Sequence, residues 1–213
     1  MRFVYSRYKQ RLRRQDLIAR MIFHEARTGA IAAWTHATPK QIRVIARDMQ
    51  EMPDGVQLVR HRGKSPHDSS YFFRSTQITS HAAILGYQLE HTGALRRQDT
   101  VISIDILRCL TRGELVCEAF EAYLACVASP LIAFEHAILL LTHLACTREL
   151  ALINCDGCGE TWLLDRLGRP ETVCVHCRNP ASMLARRIAN GPDLRAYRHA
   201  VHPIQLNLFD PGM

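Results

Sequence analysis

Cys155, Cys158, Cys174 and Cys177 stand as two CxxC pairs with fifteen residues between them, in the stretch CDGCGETWLLDRLGRPETVCVHC. A CxxC turn supplies two thiolates from one tight bend, and an interval of this length lets a second turn come round to face the first. Four thiolates suit tetrahedral zinc, and the spacing meets the lower edge of the structural-zinc range. An iron–sulfur site also accepts four thiolates and stays open as an alternative. A thioredoxin-like centre needs only one pair in a βαβ setting, which this stretch lacks. A catalytic zinc keeps one position for water, whereas four sulfurs close the shell. His176 lies inside the second pair and is poorly placed to replace a cysteine.

The elements that would position these cysteines can be read from the intervening residues. Gly157 and Gly159 permit a turn whose amides approach the sulfurs. Thr161 to Leu164 predicts a short strand, Leu167-Gly168-Arg169-Pro170 a turn, and Glu171 to Val173 the returning strand. That is a zinc-ribbon layout, with one structural Zn(2+) per chain expected. Four thiolates around Zn²⁺ carry a formal charge of −2, which calls for nearby donors and cations such as Arg169, Arg178, Arg186 and Arg187.

Cations gather at the other end of the chain too. Seven of the first twenty residues (Arg2, Arg7, Lys9, Arg11, Arg13, Arg14 and Arg20) are basic, against one acid, Asp16. Such an arm suits nucleic acid or an acidic partner, and equally a solvated helix start. Residues 10 to 36 predict one helix, with Leu12, Ala19, Ile22, Ala26 and Ala33 on a face and a break at Thr35-His36-Ala37. Thr38-Pro39 then marks a helix start, a hydroxyl cap before a first-turn proline. Ile42, Ile45, Ala46 and Met49 form its apolar stripe, opposite Lys40, Arg43 and Arg47. Two helices across a short break, the second basic on its outer face, meet the requirement of a helix-turn-helix reader, although an ordinary helical hairpin shares the pattern.

The RHRGKSP loop, residues 60 to 66, carries Arg62 and Lys64 and no acid. Further helices are predicted over 78–90 and across 102–149, with interruptions near Gly113 and Pro130. Ala133, Ala137, Leu140, Leu141 and Leu144 read as core positions. Cys109, Cys117, Cys126 and Cys146 lack ligand-like pairing and read as packing residues; His81, His136 and His143 read as ordinary core or surface histidines. With 213 residues, 47% of them hydrophobic, the chain is long enough to bury a real core. The net charge of +7 favours an anionic partner. The most apolar run, residues 131–146, is 16 residues long and holds Glu135, His136 and His143, so it predicts a buried helix rather than a membrane span. The start has no apolar signal region, and a cytoplasmic setting is expected. The expected fold class is mainly α: a helical body over 1–150, a four-cysteine module over 151–190 and a tail over 191–213.

Together these features resemble the FlhC family, the larger subunit of the FlhD–FlhC activator of bacterial flagellar genes. The resemblance spans about residues 15 to 190. It rests most specifically on the cysteine quartet, then Asn179-Pro180 and Ala185-Arg186-Arg187. Ala26-Arg27, Thr35, the 38–49 helix, Arg62-Gly63-Lys64-Ser65-Pro66 and His81-Ala82 follow the family's order. The resemblance implies a helical protein with structural zinc, two copies of which join four FlhD chains. It implies promoter duplex DNA and RNA polymerase as partners, at flagellar class 2 and related operons. Lys40, Arg43, Arg47, Arg62, Lys64, Arg186 and Arg187 are the candidate DNA contacts. The arginine-rich first fifteen residues and a shorter loop after RGKSP depart from the family's pattern and leave the target promoters open.

Two other classes compete. Enzymatic action on nucleic acid would need a carboxylate or histidine cluster, but Asp99, Asp105, Glu114, Glu118 and Glu121 read as scattered, solvated-face charges, so no enzyme is expected. A zinc-ribbon adaptor that binds protein, or a diverged paralogue with a non-flagellar regulon, shares the same motifs. The tail segment Gln205-Leu206-Asn207-Leu208-Phe209 looks like the short peptide that docks on the bacterial sliding clamp. Packing of Leu206, Leu208 and Phe209 within the protein or its complex is the preferred reading of that tail.

Overall fold

The structure, a computed structural model, describes residues 2–51, 61, 63–96, 101–168 and 172–178. Helix α1 (Arg2–Phe23) and helix α2 (Thr28–Thr35) replace the single helix expected over 10–36. The chain turns between them because Glu25 takes a left-handed conformation, φ 60°. Glu25 N–H then donates to Ile22 O and Ala26 N–H to Met21 O, both at 2.9 Å. This pair of bonds is the Schellman closure, made here without glycine. The buried positions of α1 are Leu17, Ile18, Met21 and Ile22; Leu12 is 43% exposed and lies off that face.

Helix α2 starts at Arg27, whose own side chain provides no cap. Glu135, buried on a distant helix, accepts the Arg27 N–H at 2.7 Å and so supplies a negative charge at the positive end of α2. The helix ends on His36 in a left-handed conformation, φ 54°, with its N–H donating to Ala32 O. After that three-residue turn comes α3 (Pro39–Glu51). Its start is a reciprocal capping box: Thr38 N–H donates to Gln41 Oε1 at 2.8 Å, and Gln41 N–H donates to Thr38 Oγ1 at 3.3 Å. Both the break at 35–37 and the Thr38-Pro39 start agree with the sequence reading.

A short 3-10 turn (Ser69–Phe73) leads into α4 (Thr76–His91), capped by Ser75. Then follow α5 (Ile104–Leu107), α6 (Leu110–Cys126), α7 (Phe134–Thr142) and a π turn (His143–Thr147). Pro130 does interrupt the helices, but Gly113 does not. It lies inside α6, where a β-carbon would come 2.8 Å from Leu17 Cδ2 and 3.4 Å from Trp34. The absent side chain lets α6 settle against α1 and α2, which outweighs the intrinsic cost of glycine in a helix.

Arg13 pairs with Glu114, and Arg20 with Glu121 at 2.9 Å. Each step is seven residues in the same sense, so α1 and α6 run parallel. Glu114 and Glu121 are therefore bound to neighbouring arginines and are not the scattered charges expected. The core is filled by Leu17, Trp34, Val116, Phe120, Tyr123, Phe134, Leu140 and Leu141, contributed by α1, α2, α6 and α7. Tyr123 is fully buried; its hydroxyl accepts from the Leu131 and Ile132 amides at 3.1 and 3.2 Å and lies 2.8 Å from His81 Nδ1. This fixes the turn around Pro130.

Strands β1 (Leu150–Asn154) and β2 (Thr161–Asp165) form an antiparallel hairpin, Leu150 opposite Asp165 and Asn154 opposite Thr161. The partner of the 161–165 strand thus precedes the first CxxC. Residues 172 and 173 are not strand, which corrects the returning strand expected at 171–173. Gly86 of α4 receives Leu152: a β-carbon there would stand 2.7 Å from its Cδ2. One compact unit covers Met1–Cys174, so it runs past residue 150 and takes in the hairpin. A second covers Val175–Met213, of which the short helix α8 (Val175–Arg178) is described. The expected tail 191–213 lies outside the described residues, as does Gln205 to Phe209.

Candidate metal centre and basic helix face

The first CxxC occupies the loop of the β1–β2 hairpin. Pairing of Asn154 with Thr161 brings the strand ends together, and Cys155 N–H closes the loop by donating to Glu160 O at 2.9 Å. Gly159 adopts φ 73°, and its N–H returns to Cys155 O at 2.8 Å. The Asp156 amide donates to Thr172 O at 3.1 Å, tying this loop to the approach of the second pair.

The sulfurs of Cys155, Cys158, Cys174 and Cys177 all lie within 4.8 Å of one another. Tetrahedral Zn–S bonds of about 2.3 Å place sulfurs about 3.8 Å apart. Cys158 Sγ and Cys174 Sγ are 3.9 Å apart. The donor set therefore fits a tetrahedral, soft metal ion. Cys155 and Cys174 are buried, with Cys158 exposed and Cys177 between.

Amides stabilise the charge that such a site needs. Gly157 N–H and Cys174 N–H donate to Cys155 Sγ at 3.3 and 3.2 Å. Burial works against ionisation of Cys155, but the amides of Cys174, Gly157 and Cys158 outweigh it and hold the thiol at about 6. A thiolate is the ligand form, so these amides favour the state in which this sulfur can hold a metal. The expectation that Gly157 brings an amide to a sulfur is met. Cys174 N–H, a donor from the second pair to the first, had no sequence signal.

The other cysteines behave differently from one another. Cys117 is fully buried, and its burial pushes the thiol up to about 12, which makes it an inert packing group. Cys109 and Cys126 are exposed and Cys146 is intermediate, so the packing role expected of all four holds only for Cys117. The three histidines have structural neighbours. His81 meets Tyr123, His136 stacks on Tyr71 with centroids 3.8 Å apart, and His143 Nδ1 lies 2.9 Å from Glu149.

Lys40, Arg43 and Arg47 are all exposed on α3, opposite buried Ile42 and Ala46. At positions i, i+3 and i+7 they form one stripe about 10 Å long on a helix that rises 1.5 Å per residue. Arg43 Nε donates to Pro39 O at 3.1 Å, and Arg47 Nε is 3.9 Å from Glu51, a weak exposed pair. Lys64 is exposed in the loop after Gly63. Arg62, Arg186 and Arg187 lie outside the described residues. The structure thus brings three of the seven candidate cations onto one surface.

Among the described residues, no helix is long and apolar enough to cross a membrane. Compared with models of known protein families and with curated proteins, the chain matches none.

Proposed function

We propose that this chain is a DNA-binding transcriptional activator subunit of FlhC type, acting with FlhD at flagellar class 2 and related operons. The observation that carries this reading is the exposed Lys40–Arg43–Arg47 stripe on α3, presented after a three-residue turn from α2. A short helix, a tight turn and a second helix with a cationic outer face is the arrangement that lays a helix along duplex DNA. Backbone cations supply affinity in that mode, and base contacts supply sequence preference. The cysteine quartet supports the reading as a structural zinc site. Its task in this reading is structural, with no chemistry of its own.

The expected assembly is four FlhD and two FlhC-type chains, with RNA polymerase as the downstream partner. Purification with a co-expressed FlhD-type chain, followed by mass, metal content and duplex binding across a salt series, tests this. The reading expects one zinc per chain, a hexameric mass and binding that weakens steeply with salt. A stable, zinc-loaded complex without affinity for duplex DNA would leave the protein-binding adaptor as the better account.

A further inference from the structure

A second cationic surface shares no residue with the α3 stripe. An open groove of about 770 Å³ runs between α1 and the corner where α5 meets α6. Lys9, Arg13 and Arg14 line it from α1, Arg108 and Thr111 from the corner, and His36 from the α2–α3 turn. No carboxylate lines it; Glu114 is engaged by Arg13. Like charges brought together from separate elements repel, and the cost is relieved when an anion lies between them.

Two atoms sharpen the point. Arg14 Nε and Arg108 Nε are both shielded from solvent and have no hydrogen-bond acceptor in the protein. Buried donors of this kind nearly always have partners, and an unmet one carries a desolvation penalty. Cys109, Leu110 and Thr111, which also face the groove, begin α6. The first amides of a helix have no acceptor within it, and Cys109 contributes no side-chain cap. Guanidinium groups, an ammonium group and hydroxyls around one opening form a donor set that phosphate oxygens take.

We propose that this groove is a phosphate-binding site, with Arg14, Arg108 and Lys9, which line it from α1 and the α5–α6 corner, as its donors. The phosphate belongs either to a free polyphosphate ligand or to the backbone of a bound duplex. The site requires neither a partner chain nor the DNA role of α3. Arg13, held by Glu114 and Thr111, sets the groove wall.

Calorimetric titration of the full-length, metal-loaded chain with inorganic pyrophosphate at fixed ionic strength tests the free-ligand arm. Duplex DNA binding across a salt series tests the backbone arm. Arg14→Gln with Arg108→Gln should weaken pyrophosphate about tenfold or more, or make the duplex salt slope shallower by about one to two units. Arg14→Lys with Arg108→Lys should retain most of the effect. If the glutamine pair fails to fold, Lys9→Gln replaces it. In the unaltered chain, pyrophosphate or duplex should also protect Arg14 and Arg108 from phenylglyoxal, mapped by mass spectrometry. Pyrophosphate binding without duplex binding would support the groove and remove the DNA reading. Duplex binding with no change in slope, no pyrophosphate affinity and no protection would overturn the groove while leaving the α3 reading intact.

Discussion

Cys155 is the residue on which the metal centre turns, because it gathers amides from both cysteine pairs while lying 2% exposed. Serine keeps the size of the side chain but provides no thiolate. Cys155→Ser should remove the metal, lowering content from about one ion per chain to near zero, and should lower the melting temperature as well. Metal analysis and a thermal melt of the same sample check both. Cys117 provides the contrast. Its thiol, held at about 12 by burial, should resist alkylation in the native chain and react only on unfolding. Glu121 tests the electrostatics. Burial alone would raise its carboxyl, but the hydrogen bonds and charges of His24 and Arg20 overcome this and hold it below the usual range. A carboxyl depressed in the folded state stabilises above its unfolded pKa, and that contribution fades as pH falls through the folded value. Glu121→Gln should therefore melt below the natural chain at neutral pH, with the two curves converging as pH falls below the usual carboxylate range. The gap should be small, because the side chain is 39% exposed.

Among elements, α1 and α6 depend on a missing side chain. Gly113→Val would drive a branched side chain into Leu17 and Trp34, and should destabilise by about 2 kcal/mol or more, measured by chemical denaturation. Local chemistry made some elements readable in advance. Thr38-Pro39 is a cap and first turn written in two residues, and the CxxC spacing encodes a knuckle with equal directness. Elements set by distant contacts were not readable. Nothing near Glu25 signals a left-handed residue, since glycine normally takes that position and no glycine is there. Glu135 caps a helix that lies over a hundred positions earlier in the chain. The strand 150–154 looks like the end of the preceding apolar run until it pairs with 161–165. In the same way, Arg14 and Arg108 become neighbours only through the parallel packing of α1 and α6.

For the whole molecule, the net charge of +7 acquires a layout. Arg13 and Arg20 join helices, Arg14 and Arg108 border a groove, and the α3 cations stand on an exposed stripe. The α3 stripe carries the functional proposal because Lys40, Arg43 and Arg47 are all exposed on one helix face, and the single ion pair among them, Arg47 with Glu51 at 3.9 Å, is weak. The measurement that tests it most directly is the slope of log affinity against log salt for duplex DNA. It should be made on the complex with its FlhD-type partner, comparing the natural chain with a Lys40→Ala, Arg43→Ala, Arg47→Ala variant. Each phosphate contact contributes about 0.9 to that slope, so the variant should bind more weakly with a slope shallower by about two to three units. An unchanged affinity and slope, in a variant that keeps its fold and its metal, would contradict the placement of α3 on DNA.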